Sequence, residues 1–238
     1  MILQELTMPQ FIKHLNVTKT ILIPYGAIEE HGSHLPLNTD VAIIDEALKE
    51  VIKKRPVFLA PTIPYGVCTT TKNHPGTISI TPQALRLLTE DIVRSVYAKG
   101  LRNVLLLSGH GGGLHMAALK EVAERLVEEL DELSIAAVSP YEVIGKELSQ
   151  ICETKNDAHA GELETSLMLA LKPELVNGLA DEEYPALPKP FSVKDKVRYW
   201  PGGVWGNPKK ATAEKGHKAL QIIVDKVIEL IDFVEKKN

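Results

Sequence analysis

The 238-residue chain has few cysteines and no excess of basic charge, and each shortage excludes a class of protein. Cys68 and Cys152 are its only cysteines. They are too few for a disulfide framework and too far apart for a zinc-ribbon spacing, so we expect two reduced thiols. Lysine and arginine total 27 against 31 acidic residues, a formal net charge of −4. A chain without a basic field is unsuited to general nucleic-acid binding.

Long apolar runs are also missing. No stretch reaches the roughly 18 apolar residues that a membrane helix requires. The first ten residues, MILQELTMPQ, contain an early acid and no apolar core of the kind found in signal peptides. We therefore expect a cytoplasmic protein with no membrane partner.

What the sequence does contain is an alternation of short apolar runs with longer amphipathic stretches. The short runs have the length of strands buried on both faces of a parallel sheet; they cover 21–24, 57–60, 104–107 and 135–138. The amphipathic stretches predict helices over 41–54, 82–99, 114–130, 161–171 and 211–235. Strand and helix alternation of this kind predicts an α/β fold with a mainly parallel sheet.

One segment departs from the pattern. Residues 178–210 are rich in proline and glycine and carry Tyr184, Phe191, Tyr199, Trp200 and Trp205. Because no flexible linker or repeat is evident, we expect a single domain over 1–238 in which this segment is a functional loop or an interface arm. Its many aromatic side chains predict burial against a second copy, hence a homo-oligomer.

The first group of chemically active residues lies in the stretch from Gly26 to Asp40. Glu29 and His31 are two residues apart, so in extended backbone their side chains point to the same side. Asp40 comes just before a predicted helix. A carboxylate, an imidazole and a second carboxylate suit zinc, manganese or iron(II). Alternatively, Asp40 caps the helix and His31 makes a hydrogen bond within a turn.

The second group follows the third predicted strand and contains His110 and the glycines Gly111, Gly112 and Gly113. Ligands of open α/β sheets bind at this carboxyl edge. One interpretation is a loop that cradles phosphate at a helix N-terminus. The other makes His110 a metal ligand and uses the glycines for close backbone approach to a substrate or an oxyanion.

The third group consists of His159, Glu162 and Glu164, at the start of a predicted helix. Acids in a first turn interact favourably with the helix dipole, which is a purely structural interpretation of both glutamates. His159 beside two carboxylates also suits a proton shuttle or a metal ligand.

Together the three groups resemble the creatininase (creatinine amidohydrolase) family. The resemblance rests on the motifs at 26–40, 109–112 and 159–166 and on a closing segment at 203–216. It implies a three-layer α/β/α sandwich with a metal site, often binuclear, at the carboxyl edge of the sheet. It also implies an enzyme that hydrolyses amides at non-peptide or cyclic C–N bonds of a small molecule, frequently as a hexamer.

The resemblance assigns roles to individual residues. Glu29, His31, Asp40 and His110 would bind the metal, with Asp40 bridging two ions if both are present, and His159 would transfer protons. Creatinine-cleaving members carry a ligand glutamate where this chain has Gly112. They also carry tryptophans where this chain has Tyr141 and a residue near Lys155.

The missing glutamate prompts a hypothesis about the second ion. Glu162 follows His159 by three residues, so a helical turn would bring the two to one face. We expect Glu162 to bind the second ion, with Glu164 in a supporting or proton-transferring role.

These departures favour a substrate other than creatinine. We expect one or two divalent ions (zinc, iron(II) or manganese) and a small formamide or amide substrate, such as the formylamino-pyrimidine ribonucleotide that family deformylases process. Creatinine ring opening, a mycofactocin-type peptidase and a non-catalytic metal- or nucleotide-binding protein stay open as alternatives.

Overall fold

A four-stranded parallel sheet forms the centre of the molecule. The computed structural model describes residues 1–145 and 147–237. Its strands are β1 (Thr20–Tyr25), β2 (Phe58–Leu59), β3 (Asn103–Ser108) and β4 (Ser134–Val138), in the spatial order β2-β1-β3-β4. The predicted parallel α/β architecture is therefore confirmed, with β2 shorter than its apolar run.

Helices fill the connections between the strands. They are α1 (Met8–Leu15), α2 (Thr39–Lys54), α3 (Pro82–Ala98), α4 (Gly113–Glu129), α5 (Pro140–Val143), α6 (Leu148–Ile151), α7 (Glu162–Leu171) and α8 (Ala213–Lys237). The sequence pattern does not predict α1, α5 or α6. The start of α1 does have a local signal, because Gln10 accepts a hydrogen bond from the Thr7 backbone N–H at 2.8 Å, one half of a capping box.

Alternation along the strands builds two separate cores. Ile21 and Ile23 of β1 belong to a buried cluster with side chains of α3 and α4. Leu22, between them, packs instead with side chains of α2 and α8. Successive strand residues point to opposite faces, so each face of the sheet is covered by helices. The result is a three-layer α/β/α sandwich.

The longest helix, α8, is amphipathic. Val224, Val227 and Ile231 are buried with α2 against the sheet. Charged residues occupy its outer side, among them Lys218, which pairs with Glu214. Among the described residues, no helix combines the length and the hydropathy that crossing a membrane requires.

The proline- and glycine-rich segment folds back over its own chain. Trp200 is only 2% exposed, and its indole N–H donates to the Val204 carbonyl at 2.7 Å. Phe191 is 76% exposed and Tyr184 is 42% exposed. The single chain thus buries Trp200 by itself, while Phe191 and Tyr184 remain candidates for an interface between copies.

Helices α7 and α8 pack closely together at Gly216. A Cβ atom added at Gly216 would lie 1.9 Å from the Ser166 carbonyl oxygen and 2.8 Å from the Ala170 Cβ. Only glycine permits this approach, so Gly216 sets the distance between the two helices.

Replacing Gly216 with alanine is expected to lower the free energy of unfolding by about 1–3 kcal/mol, because the new methyl group overlaps the α7 backbone. Denaturant unfolding measures the change. His217→Ala, at the exposed next position, is the control and should stay within about 0.5 kcal/mol of the parent. A Gly216→Ala chain as stable as the parent would contradict the close helix packing.

Candidate metal centre

Two neighbouring strands deliver the first candidate residues to one edge of the sheet. β1 ends at Tyr25, and the loop beyond it carries Glu29 and His31; β3 ends at Ser108, two residues before His110. Because β1 and β3 pair in parallel, their carboxyl ends meet at the same edge. The loops after them therefore lie side by side.

Asp40 joins them because the start of α2 touches both strand ends. A Cβ atom at Gly109 would lie 2.2 Å from the Asp40 carbonyl oxygen, and one at Gly26 would lie 2.9 Å from the Val41 backbone nitrogen. Glycine at these two positions lets the first turn of α2 rest on the sheet edge. Asp40, the second residue of α2, is thereby buried between the two loops.

Half of the cluster forms around His110. Its Nδ1 lies 2.8 Å from Glu29 Oε2 and 3.2 Å from Asp40 Oδ2. All three side chains are buried. We name this group, Glu29, Asp40 and His110, the first position.

The other half forms around His31. Its Nε2 lies 3.2 Å from Asp40 Oδ1 and 3.7 Å from Glu164 Oε2. We name this group, His31, Asp40 and Glu164, the second position. The two oxygens of Asp40 therefore face two different imidazoles, so Asp40 has the placement of a bridging carboxylate.

Backbone carbonyls fix which imidazole nitrogen points inward. His110 Nε2 lies 3.2 Å from the Val67 carbonyl, and His31 Nδ1 lies 3.0 Å from the Glu29 carbonyl. A carbonyl only accepts, so each of these nitrogens carries the proton and donates it. A neutral ring with its proton at that nitrogen presents the unprotonated nitrogen to the cluster, as a metal ligand does.

In the metal-free chain, the pKa shifts of the cluster show that its carboxylates are stabilised by nearby positive charge. Burial disfavours every charge here, but the charge of His110 outweighs it and lowers the pKa of Glu29 to about 2. The pKa of Asp40 is likewise held below its usual range, against burial, by His31. Burial also opposes protonation of His31, yet Asp40 raises its pKa to about 10. Protonated imidazoles thus supply charge that a bound cation would replace.

The cluster fits a divalent cation. Glu29 Oε2, His31 Nε2 and Asp40 Oδ2 are buried and, among the described residues, face other ligand atoms of the cluster instead of an ordinary hydrogen-bond partner. Buried polar atoms normally have one, and leaving one unpaired costs about 1–3 kcal/mol. The single ligand atoms of His31, Asp40 and Glu164 lie within 4.8 Å of one another. Imidazole and carboxylate donors so placed suit zinc, manganese or iron(II).

Glu162, expected to bind the second ion, lies outside this cluster. Its carboxylate accepts hydrogen bonds from the Glu153 and Thr154 backbone N–H groups and pairs with Lys215 Nζ at 2.6 Å. The expectation treated 159–162 as one helical turn, but α7 begins only at Glu162. The structure therefore corrects the hypothesis: Glu162 is an anchor for α8 and the preceding loop.

Glu164, given a supporting role from sequence, is the glutamate that reaches the second position. Its Oε2 faces His31 and accepts the Ala160 N–H at 2.6 Å, while Oε1 accepts the Tyr141 hydroxyl at 2.7 Å. Residues two apart on a helix point in nearly opposite directions. The same helix therefore points Glu162 away from the cluster and Glu164 toward it.

His159 lies beside the second position. Its ring packs at a tilt against that of His31 with centroids 4.3 Å apart, and its Nε2 donates to the Glu30 carbonyl at 2.8 Å. The backbone of His159 pairs with that of Trp205, whose N–H donates to the His159 carbonyl at 2.7 Å. Burial and the charge of His31 lower the pKa of His159, but Glu30 and other nearby carboxylates outweigh them and raise it.

Three further buried histidines have structural partners. His34 Nε2 bonds Thr165 Oγ1 at 2.8 Å, and His74 Nε2 donates to the Trp200 carbonyl at 2.6 Å. His115, in α4, accepts the Val67 N–H at Nδ1 at 3.2 Å.

Cys68 is also buried nearby, and burial followed by the charge of Glu29 raises its thiol pKa above the usual range.

A cavity of about 390 Å³ opens over the cluster, within the roughly 300–1,000 Å³ typical of small-molecule sites. Its wall includes the predicted glycine loop Gly111–Gly113 and the aromatic side chains of Tyr141, Trp200 and Trp205. From sequence, both tryptophans lie in a segment expected to be a functional loop or an interface arm. The arm thus contributes two tryptophans to the cavity wall, whereas Tyr141 and a residue near Lys155 stand where creatinine-cleaving members carry tryptophans.

Position 112 has no room for a side chain. A Cβ atom at Gly112 would lie 2.4 Å from His110 Nε2. A ligand glutamate there, as in creatinine-cleaving enzymes, is incompatible with this loop conformation. Gly112 also precedes α4 without any side-chain cap, so the N-terminus of α4 opens toward the cavity.

Comparisons with known proteins agree with this geometry. A sequence model of the family described as "Creatininase: Creatinine amidohydrolase" matches residues 4–231. The creatinine amidohydrolase of Pseudomonas putida is 30% identical over 89% of this chain and 88% of the relative. The mycofactocin precursor peptide peptidase of Mycolicibacterium smegmatis is 30% identical over 86% and 81%. Solved creatininase structures, a Zn-Zn variant form and a Mn form, superpose with TM-scores of 0.83 and 0.84 at 25% identity, each covering 97% of this chain and 96% of that structure.

Glu164→Gln is expected to lower bound metal from about two ions per chain towards one, because the second position loses an anionic ligand. Elemental analysis after reloading the chelated chain measures the ratio. Glu162→Gln is the matched control: it should keep the parental ratio but lose about 1–3 kcal/mol of unfolding free energy, since Lys215 and two N–H groups lose a charged partner. The assignment fails if the metal loss follows Glu162 instead.

Proposed function

The chain belongs to the creatininase family of metal-dependent amidohydrolases, and on that premise we propose that it holds two divalent cations through Glu29, His31, Asp40, His110 and Glu164. The proposed reaction is hydrolysis of a non-peptide C–N bond in a small formamide or amide. We further propose that residues 1–238 act as one domain.

The observation that carries this proposal is the placement of Asp40. Its Oδ2 lies 3.2 Å from His110 Nδ1 and its Oδ1 lies 3.2 Å from His31 Nε2. A single buried carboxylate thus stands between two imidazole–carboxylate groups. A helix-capping aspartate needs only backbone N–H partners, whereas this one faces side-chain nitrogens on both sides.

Divalent cations, when bound, activate water at neutral pH and polarise the substrate carbonyl. The role of the protein is to orient the substrate and move protons around them. His159 lies against His31 and lines the cavity, with Nε2 tied to the Glu30 carbonyl. In this arrangement His159 Nδ1 hands a proton to the departing nitrogen.

Two further features orient the reactants. The Tyr141 hydroxyl donates to Glu164 Oε1, which holds the carboxylate with Oε2 toward His31. The backbone N–H groups of Gly111, Gly112 and Gly113 border the cavity, and they can donate to a substrate oxyanion or phosphate.

We propose a formylamino-pyrimidine ribonucleotide as the substrate type. Trp200, Trp205 and Tyr141 offer flat apolar surfaces against which a planar pyrimidine can stack. The uncapped N-terminus of α4 suits a phosphate group. The lack of room at position 112 for the ligand glutamate of creatinine-cleaving members argues against creatinine as the preferred substrate.

We expect formylamino-pyrimidine ribonucleotides and simple formamides to be hydrolysed at least about tenfold faster than creatinine, because the first position lacks the loop glutamate. Ammonium, amine and formate release over a panel that includes lactams and short peptides measures the preference. A chelated sample should be inactive, and adding one divalent ion should restore turnover. His159→Gln, which leaves the ligands intact, should bind the parental amount of metal but lose about 10²–10⁴-fold in kcat.

Fast peptide cleavage with no formamide turnover would favour the peptidase alternative, and tight metal binding without any turnover would favour a non-catalytic protein. Creatinine turnover equal to the best substrate would contradict the substrate proposal.

We also propose that the chain forms a homo-oligomer, with a hexamer as the expected size. Phe191 and Tyr184 project from the arm and are exposed in a single chain. Light scattering of the parent should give a multiple of 26.2 kDa. Phe191→Ser should weaken the assembly, whereas a stable parental monomer at micromolar concentration would contradict it.

A further inference from the structure

A buried cysteine lies beside the first position. Cys68 is 1% exposed, and its Sγ lies in a group with ligand atoms of Glu29 and His110 that are all within 4.8 Å of one another. Among the described residues, those lining the cavity do not include Cys68. A bond from the thiol to an ion at the first position would therefore not occupy the wall of that cavity.

The chain holds this cysteine in place through its backbone. The Val67 carbonyl accepts the hydrogen bond from His110 Nε2, and the Val67 N–H donates to His115 Nδ1. The Cys68 N–H donates to Ser79 Oγ at 2.9 Å. The residue before Cys68 is thus bonded directly to a candidate ligand, which fixes the cysteine next to it.

A second, independent observation points to an ion at this place. Glu29 Oε2 is buried and lies 2.8 Å from His110 Nδ1, and the proton that His110 donates to the Val67 carbonyl is on Nε2. When His110 is neutral, both of these atoms turn lone pairs toward one place, where a cation satisfies them. Zinc bonds of about 2.0–2.3 Å put two ligand atoms of one tetrahedral ion roughly 3.3–3.8 Å apart. A group already within 4.8 Å needs only a small side-chain adjustment to reach that spacing.

We propose that Cys68 binds the ion of the first position as a thiolate, so that this position is built from Glu29, Asp40, His110 and Cys68. The proposal rests on the two-ion function given above and specifies one of its sites. Binding breaks the S–H bond, releases the proton to solvent and forms a sulfur–metal bond without any change of oxidation state. Because thiolate is a soft ligand and manganese prefers oxygen, the first position should select zinc over manganese.

The test uses cobalt(II) as a coloured probe of the ligands. The full chain is freed of metal with a chelator and titrated with cobalt(II) under anaerobic conditions while near-ultraviolet and visible spectra are recorded. A sulfur-to-cobalt charge-transfer band should grow and saturate at one equivalent per chain. Cys68→Ser should abolish the band, and Cys152→Ser, which changes the other buried cysteine, should keep it.

Two further measurements do not depend on how well the variant folds. X-ray absorption of the zinc-loaded parent should require one sulfur neighbour at about 2.3 Å. Competition between zinc and manganese, followed by elemental analysis, should show a zinc preference that falls at least about tenfold in Cys68→Ser, since even the loss of an outer-shell partner usually costs about 10–100-fold in metal affinity.

The outcomes separate this proposal from the function on which it rests. Any of three results would overturn the thiolate ligand and leave the proposed amidohydrolase function intact. They are cobalt binding without a charge-transfer band in the parent, a band that survives in Cys68→Ser, and zinc with only nitrogen and oxygen neighbours. A parent that binds neither cobalt nor zinc would overturn both.

Discussion

The structure depends on one buried negative charge, the carboxylate of Asp40 between His31 and His110. Burying a lone carboxylate costs several kcal/mol, so the surroundings must supply positive charge. Two imidazoles do so in the metal-free chain, and divalent cations suit the same space. The loops after β1 and β3 and the first turn of α2 all contribute to this arrangement. The edge of the sheet is thus organised around a single side chain.

Much of this could be predicted from sequence because it is local. The strands stand out as short apolar runs, and Glu29, His31 and Asp40 lie within one loop, so their meeting follows from chain continuity. His110 follows the neighbouring strand, and parallel pairing brings its loop alongside. The α/β/α layering follows from strands that are apolar on both faces.

The choice between Glu162 and Glu164 could not be predicted, because it depends on where α7 starts and on a distant partner. Asp157 accepts the N–H groups of Glu162 and Leu163 at 2.7 and 2.9 Å, so the chain enters the helix only after His159. Lys215, from another helix, neutralises Glu162. The packing of Trp200 could not be predicted either, since an irregular segment has no periodicity from which packing can be inferred.

In the arm, residues 178–210, the backbone and the side chains have different roles. The backbone of Trp205 pairs with that of His159, and side chains of Trp200 and Trp205 form part of the cavity wall. None of the charged groups of the first and second positions comes from the arm. Substrate choice can therefore drift by mutation of arm side chains while the reactive centre stays constant. Hydrolases with different substrates can therefore evolve from one constant metal centre through changes in the residues of the cavity wall.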